Sequence, residues 1–383
     1  MKPSSILDRT VAPRRWARFA AFGLAVVLMG AMSHDAFAQG RVRPGKWRAG
    51  NAADGFKIMK TRTYQVQTQI PQERARLVVD HVEALMSEYH RRFYIRKPID
   101  EFVMKIFENR DGYRGYGGSA GALAHYHPTH RELVCFDTGK LTGREGGINE
   151  DDVKRVNIAL KSRGLAEELE DPVVKAVLPH LSTPMLLGVL GHESWHQYFH
   201  FWIGSKVDFP AWLDEGIADY FYTALVSEDR RKVTTGTLNP MRLPTIYAAI
   251  KTESYTPIKE MLRYRRNEYY ANKSLHYAQG WSMVYFCWHG GNKKYEKIPE
   301  KLIRIFKDKH NMDKATDMAF RGIRIEQFEE DWKRYYLSMD LGEALTEIAR
   351  DLIGFDPAAQ TAPGTTRTPG ATEQADAGAG SAR

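Results

Sequence analysis

The segment GHESWHQYFH, residues 191–200, constrains the fold of this chain more than any other part of its sequence. It belongs to an apolar stretch that begins with Pro184, a residue well tolerated in the first turn of a helix. In a helix, residues four apart project from one face, so His192 and His196 can offer imidazole nitrogens to a single metal ion. Glu193 lies beside them, near enough to reach a water at the ion without binding the ion. The segment therefore predicts a helix that carries part of a zinc site.

A catalytic zinc ion takes three protein ligands and keeps a fourth position open, so a third ligand is required. His200 is one further i+4 step along, but three residues spaced in this way extend over about 12 Å of helix, too far for one ion. An extended three-histidine motif would need histidine at position 202, where the chain has Trp202. Glu215 in PAWLDEGIADYF is the better candidate, because 18 residues separate it from His196, enough for a loop and a second helix that starts at Pro210.

Two aspartates near Glu215 are candidates for supporting the ligands. Asp219 lies one turn further on the same helix face and is placed to accept the free imidazole N–H of a ligand histidine, which fixes its tautomer. Asp214 is a weaker candidate for this role. Buried carboxylates are costly without a partner, and zinc is the natural partner for an acidic group inside an apolar segment.

Together, HESWH and WLDEGIADYF resemble the motifs of the gluzincin zinc metallopeptidases. The whole pattern is closest to secreted bacterial peptidase-MA-like proteins with an HExxH and a WLxEGxAxY motif, and the resemblance is specific over residues 185–290. It implies Glu215 as the third zinc ligand and Asp219 as the support of His192. In aminopeptidase-like members a Tyr-x-x-Gly helix start supplies the tyrosine that stabilises the oxyanion, which here is YAQG and implies Tyr277.

The resemblance implies zinc-dependent hydrolysis of a peptide or protein substrate by metal-activated water, with one Zn²⁺ and with Glu193 as general base. His276 is the fallback for the role of Tyr277. Aminopeptidase-like members bind the free amine of the substrate through a glutamate in Gly-Ala-Met-Glu-Asn. The comparable stretch here, GALAHYHPTHRELVCF, has no matching glutamate, so an endopeptidase is expected. Residues 119–136 are still expected to provide an edge strand for an extended peptide.

Two other functions fit the same residues. One is an exported, non-catalytic zinc-containing binding protein, and the other is a zinc amide hydrolase that acts on peptidoglycan. An intact Glu193 and only three ligands count against a purely structural zinc site, which usually has four protein ligands.

Further histidines and both cysteines allow more than one interpretation. His125, His127 and His130 are interpreted either as exposed polar positions of a strand and its turn, or as an additional metal or substrate site. Cys135 and Cys287 lie in apolar surroundings and are either a disulfide or two buried free thiols.

The predicted fold class is α+β, with a small mixed β-sheet lobe followed by a mainly helical zincin lobe and the active-site cleft between them. Strands are predicted at residues 58–70, 102–107, 122–126 and 133–136. Helices are predicted at residues 72–93, 152–161, 172–181, 184–202, 211–226, 275–289, 295–309 and 325–337.

The chain begins with a pattern typical of an export signal. Arg14, Arg15 and Arg18 precede an apolar run, and Ala36-Phe37-Ala38 offers a small-x-small cleavage site. The run is shorter than the roughly 20 residues of a spanning helix, so we expect no stable membrane span after cleavage and a periplasmic or secreted protein. The predicted organisation is a signal peptide at 1–38, a flexible lead-in at 39–54, a sheet-containing lobe at 55–138, a helical zinc-peptidase lobe at 139–353 and a disordered tail at 354–383.

Charge gives little reason to expect a nucleic-acid partner. The net charge of +8 would fall to +5 on cleavage, because residues 1–38 carry five basic and two acidic residues. The densest basic stretches, 263–266 and 301–309, are mixed with apolar residues at helical spacing and are interpreted as solvated helix faces. The sequence leaves oligomeric state open.

Overall fold

The computed structural model describes residues 47–49, 55–93, 102–142, 149–182, 184–204 and 207–355. These residues all belong to one compact unit. The predicted signal peptide, 1–38, and residues 356–383 of the predicted tail lie outside the described residues, so those predictions stay open.

Residues 47–136 contain a six-stranded mixed sheet with the order β1-β2-β3-β4-β6-β5. Strands β3, β4 and β6 run parallel, whereas β1, β2 and β5 are antiparallel to their neighbours. Among the strands of the described residues, β5 pairs only with β6 and is an edge strand. The bounds are β1 (Trp47–Ala49), β2 (Lys57–Lys60), β3 (Tyr64–Thr68), β4 (Phe102–Phe107), β5 (Ala124–His127) and β6 (Glu132–Phe136).

The start of the sheet differs from the prediction in two respects. The single strand predicted at 58–70 is a hairpin of β2 and β3, because Thr61 turns the chain between them. Its hydroxyl accepts the backbone N–H of Tyr64 at 2.9 Å and donates to Glu83 at 2.5 Å, so the turn is satisfied by polar contacts that an alternating pattern does not reveal. Residues 47–49, inside the predicted lead-in, are strand β1 and pair with β2.

The rest of the described chain is mainly helical, which confirms the predicted α+β class. The helices are α1 (Gln72–Phe93), α2 (Arg110–Gly115), α3 (Glu150–Lys161), α4 (Pro172–Leu181), α5 (Leu186–Ile203), α6 (Ala211–Phe221), α7 (Leu243–Lys251), α8 (Ile258–Met261), α9 (Arg266–Ala271), α10 (Lys273–His289), α11 (Lys293–Glu296), α12 (Ile298–Lys309), α13 (Met312–Ala319), α14 (Ile325–Leu337) and α15 (Leu341–Ile353). A short hairpin of β7 (Leu225–Val226) and β8 (Val233–Thr234) follows α6.

Helices α1, α4 and α14 have the predicted bounds. The helix predicted at 295–309 is divided into α11 and α12, because Pro299 starts a new helix in its first turn, where its missing N–H is tolerated. The helix predicted at 211–226 ends at Phe221, and residues 225–226 pair with β8 instead. Helices α7, α8, α9, α13 and α15 lie where the sequence predicts no element. Phe355, inside the predicted tail, stacks on His180 with ring centroids 4.0 Å apart.

Helices α5, α6 and α10 pack at the centre of the core, and every residue of α6 is buried. Glycines let these helices approach backbone to backbone. A Cβ atom on Gly191 of α5 would lie 2.6 Å from the carbonyl oxygen of Phe221 in α6, and one on Gly216 of α6 would lie 2.5 Å from that of Gly280 in α10. The contact between α5 and α6 brings the histidines of one helix to the glutamate of the other.

Both cysteines lie in this core. Cys135 and Cys287 are buried and free, so the disulfide alternative is wrong, and burial raises the pKa of both thiols.

In the described ranges, no single helix has both the length and the apolar composition to cross a membrane. Helices α4 and α5 meet that criterion only as a pair, with a bend of 64° between them.

Candidate metal site

The contact between α5 and α6 brings the three predicted ligands together. The Nε2 atoms of His192 and His196 are 3.2 Å apart. Oε2 of Glu215 lies 3.2 Å from the first of these atoms and 3.3 Å from the second. The three residues form one of two groups in the described chain whose ligand atoms are close enough to hold a metal ion.

These separations suit a tetrahedral ion. Zinc–ligand bonds of about 2.0–2.1 Å place neighbouring ligand atoms about 3.3 Å apart. Oε2 of Glu215 is buried and receives no hydrogen bond from the described residues, which is costly for a carboxylate oxygen unless a cation offsets it. Two imidazoles and a carboxylate are a donor set that suits zinc and other divalent transition metals.

Each histidine of this group is held by an aspartate. Nδ1–H of His192 donates to Oδ1 of Asp219 at 3.0 Å, and Nδ1–H of His196 donates to Oδ1 of Asp214 at 3.1 Å. Because an ionised carboxylate only accepts, these bonds fix a proton on Nδ1 of each histidine and leave Nε2, which faces Glu215, as the atom that can bind a metal ion. Asp219 therefore supports His192, as the resemblance implied, and Asp214, the weaker candidate, supports His196 in the same way.

Two residues of the site carry no signal in the sequence. The Tyr270 hydroxyl donates to Oε1 of Glu215 at 2.6 Å. Arg242 donates from Nε to Oδ2 of Asp219 at 2.7 Å and from Nη2 to Oδ1 at 3.2 Å. Both lie in or next to helices that the sequence does not predict, α9 and α7, so no spacing connects them to the motifs.

The charges of the site shift its pKa values strongly. Burial alone would lower the pKa of His192, but its hydrogen bond to Asp219, the charge of Asp219 and the close contact with the Glu215 carboxylate outweigh burial and raise it to about 9. Burial opposes ionisation of Glu215, yet the charge of His196 and the close approach of both histidine Nε2 atoms hold the pKa of its carboxyl well below the usual range. The carboxylates are thus ionised at neutral pH, and a metal ion would displace protons from the histidines.

The side chain of Glu193, the predicted general base, extends from α5 to the edge of the sheet. Its Oε2 atom accepts the backbone N–H of Tyr126 in β5 at 2.8 Å. The side chain is only partly buried. The carboxylate is therefore held beside the edge strand while remaining accessible.

Tyr277, the predicted oxyanion donor, lies next to His192, His196 and Glu215, which together are called the metal group. Its ring stacks on that of His192 with centroids 6.2 Å apart, and the Arg242 guanidinium lies 5.0 Å from the Tyr277 centroid. Burial, reinforced by the negative charge of Glu215, raises the pKa of Tyr277, so its hydroxyl stays protonated. His276, the fallback, is buried elsewhere: Nδ1 donates to the carbonyl of Tyr269 at 2.6 Å, and Nε2 lies 3.1 Å from the hydroxyl of Thr256.

Histidines 125, 127 and 130 belong to neither metal-binding group of the described chain. Nδ1 of His125 lies 2.9 Å from the Tyr113 hydroxyl, and the rings of His127 and His130 stack at 4.2 Å. All three are partly or fully exposed, as the strand-and-turn interpretation expects.

The fold and the site define an α+β protein with a buried group of two histidines and one glutamate that can bind a metal ion. A family model described as a protein of unknown function, DUF1570, matches residues 187–306. That segment runs from α5 into α12 and contains all three ligand candidates together with Tyr270 and Tyr277. No curated protein matches the chain.

Proposed function

We propose that this protein is a zinc-dependent peptidase of the gluzincin type, in which His192, His196 and Glu215 hold one zinc ion and Glu193 is the general base. The proposal rests on one observation: the Nε2 atoms of His192 and His196 and the unpartnered Oε2 atom of Glu215 lie 3.2–3.3 Å from one another. A tetrahedral ion with three protein ligands keeps one position for water or substrate, as catalytic zinc sites do and closed structural sites do not.

His192, His196 and Glu215 would hold the zinc ion, which would act there as a Lewis acid that lowers the pKa of a water and polarises a carbonyl group. Glu193 takes the proton of the attacking water and passes it to the leaving amine. Its hydrogen bond to Tyr126 orients the carboxylate for this transfer. Tyr277, which stays protonated, donates to the negative charge that develops on the carbonyl oxygen.

An extended peptide is the substrate class that suits the surroundings of Glu193. Among the described residues no strand pairs with the outer edge of β5, on which the N–H of Tyr126 binds that carboxylate, and an extended segment can pair with such an edge through backbone hydrogen bonds. Since the chain lacks a glutamate that matches the amine-binding residue of aminopeptidases, cleavage within a peptide is proposed rather than removal of its first residue.

Elemental analysis and digestion of a peptide library, read by mass spectrometry, test the proposal. The purified protein should contain one zinc per chain and cleave library members. Glu193→Gln should keep the zinc and lose about 10²-fold or more in turnover, because general-base catalysis contributes about 10²–10⁴. The matched control is Glu228→Gln, since Glu228 is exposed in the turn between β7 and β8. Full activity of Glu193→Gln would refute the assigned role.

The same experiment separates the other functions. Zinc without cleavage of any peptide favours an exported binding protein. Cleavage of muropeptides, with the library left intact, favours an amide hydrolase that acts on peptidoglycan.

A further inference from the structure

Asp214 lies at the centre of a hydrogen-bond network that extends beyond the metal ligands. The residue is 2% exposed, and its carboxylate receives three side-chain donors. Nε1 of Trp195 and Nδ1 of His196 both donate to Oδ1 at 3.1 Å. Nε2 of His200 donates to Oδ2 at 2.7 Å. His200 is therefore the residue that donates a hydrogen bond to Oδ2 of Asp214.

The three residues His196, His200 and Asp214 also form the second group whose ligand atoms could hold a metal ion. Their geometry favours hydrogen bonding instead. The 2.7 Å between Nε2 of His200 and Oδ2 of Asp214 is well below the roughly 3.3 Å between neighbouring ligands of a tetrahedral zinc ion. It is the ordinary length of a charge-assisted hydrogen bond.

The proton of His200 can be assigned from its partners. An ionised Asp214 only accepts, so Nε2 of His200 carries the hydrogen. Nδ1 is then an unprotonated acceptor, and it is buried without a hydrogen-bond partner among the residues described. His200 thus has one strong contact, and that contact is made to the carboxylate behind a metal ligand.

The two ligand histidines are supported in parallel ways. Behind His192, the carboxylate of Asp219 is held on its second oxygen by Arg242. Behind His196, the carboxylate of Asp214 is held on its second oxygen by His200. Without that donor the buried oxygen would lack a partner, and the carboxylate could turn its other oxygen away from His196.

We propose that His200 is a positioning residue of the metal site: by donating to Asp214 it fixes the carboxylate that orients His196, and so aims Nε2 of His196 at Glu215. The proposal rests on the metal-binding half of the proposed function and does not require peptide hydrolysis.

Two substitutions at position 200 separate the hydrogen bond from the volume of the ring. His200→Phe keeps an aromatic ring but has no donor, whereas His200→Gln can place an N–H near the position of Nε2. The matched control is His180→Phe, because His180 is also a partly buried histidine near the end of a helix but has no contact with Asp214. Zinc affinity is measured by competition with a chelator, and the visible spectrum of the cobalt-substituted protein reports the geometry around the metal.

We expect His200→Phe to lose about 10- to 100-fold in zinc affinity, the usual effect of removing a support behind a metal ligand, and to shift the cobalt spectrum. His200→Gln should restore affinity to within about threefold of wild type, and His180→Phe should match wild type. If His200→Phe does not fold by circular dichroism, His200→Ala takes its place with the same thresholds.

Wild-type affinity and an unchanged cobalt spectrum in the variant without the donor would overturn the proposal, as would equal losses in His200→Phe and His200→Gln. Two tightly bound ions per chain would also overturn it, because His200 and Asp214 would then be ligands themselves. Failure of the proposed function has a different signature: wild-type protein that binds zinc but cleaves nothing refutes the peptidase and leaves the role of His200 standing.

Discussion

Gly216→Ala tests whether backbone contact between helices sets the geometry of the metal group. The added Cβ atom would lie 2.5 Å from the carbonyl oxygen and 2.8 Å from the carbonyl carbon of Gly280, whereas ordinary contacts begin at 3.4 Å. The shortfall is about 0.9 Å at a backbone atom, which cannot rotate out of the way. Helix α6 must therefore move away from α10, and Glu215, the preceding residue, must move with it.

The cost follows from two opposing terms. Overpacking costs about 1–3 kcal/mol, and a backbone clash belongs at the upper end of that range. Alanine gains about 1 kcal/mol over glycine in helix propensity. The net loss in the free energy of unfolding is then about 2 kcal/mol, or about 3 °C in melting temperature for a unit of this size. A ligand displaced by several tenths of an ångström should also weaken zinc binding by about tenfold or more.

Urea unfolding followed by circular dichroism in EDTA measures the first effect, and chelator competition measures the second. The control is Gly115→Ala at the end of α2, where the added Cβ meets no atom within 4 Å. That variant should remain within about 0.5 kcal/mol of wild type. A Gly216→Ala protein with wild-type stability and wild-type zinc affinity would refute the reasoning.

Three further predictions concern the metal group and the acid stability of the protein. Tyr270→Phe removes the 2.6 Å hydrogen bond to Glu215 and should lower zinc affinity about 10- to 100-fold in chelator competition, while Tyr247→Phe on α7 should not; equal affinities would contradict a supporting role for Tyr270. Removal of zinc with EDTA should lower the melting temperature, since free zinc at a thousand times its Kd adds about 4 kcal/mol, and added zinc should restore it in wild type but not in Glu215→Gln. Burial lowers the pKa of His81 to about 4 from 6.5, so its contribution to stability is present above pH 6.5 and is lost as the pH falls toward 4, by about 3 kcal/mol. Urea unfolding of His81→Leu in EDTA should show a smaller loss than wild type between pH 6.5 and 4, and parallel curves would show that His81 does not titrate in this way.

The metal group shows which parts of the site can be predicted from residue spacing within a single helix. His192 and His196 could be paired from the sequence because an α-helix places residues four apart on one face whatever surrounds it. Glu215 could be proposed because its segment is apolar apart from its acids, and buried acids need a partner. The strand at 102–107 and the helix at 72–93 were predicted for a similar reason, since alternation and helical periodicity are read within a single element.

The remaining parts of the site were decided by tertiary packing. Whether Tyr277 or His276 faces the metal group depends on the rotation of α10 against α6, which their glycine contact sets. Tyr270 and Arg242 reach Glu215 and Asp219 from segments without a periodic signal, so only the folded chain connects them. His200 does not belong to the group of His192, His196 and Glu215, as its distance along the helix predicts, yet its contact with Asp214 could not be inferred from that spacing.

By itself, therefore, the sequence determined that one helix carries two imidazoles on the same face and that a second helix carries acidic residues in an apolar segment. Both properties follow from residue spacing within a single helix. The tertiary structure alone decided which carboxylate supports which histidine and which tyrosine contacts Glu215. Hydrogen bonds of about 3 Å between distant segments depend on how closely helices pack, and that distance is set by backbone contacts at glycines that no local pattern reports.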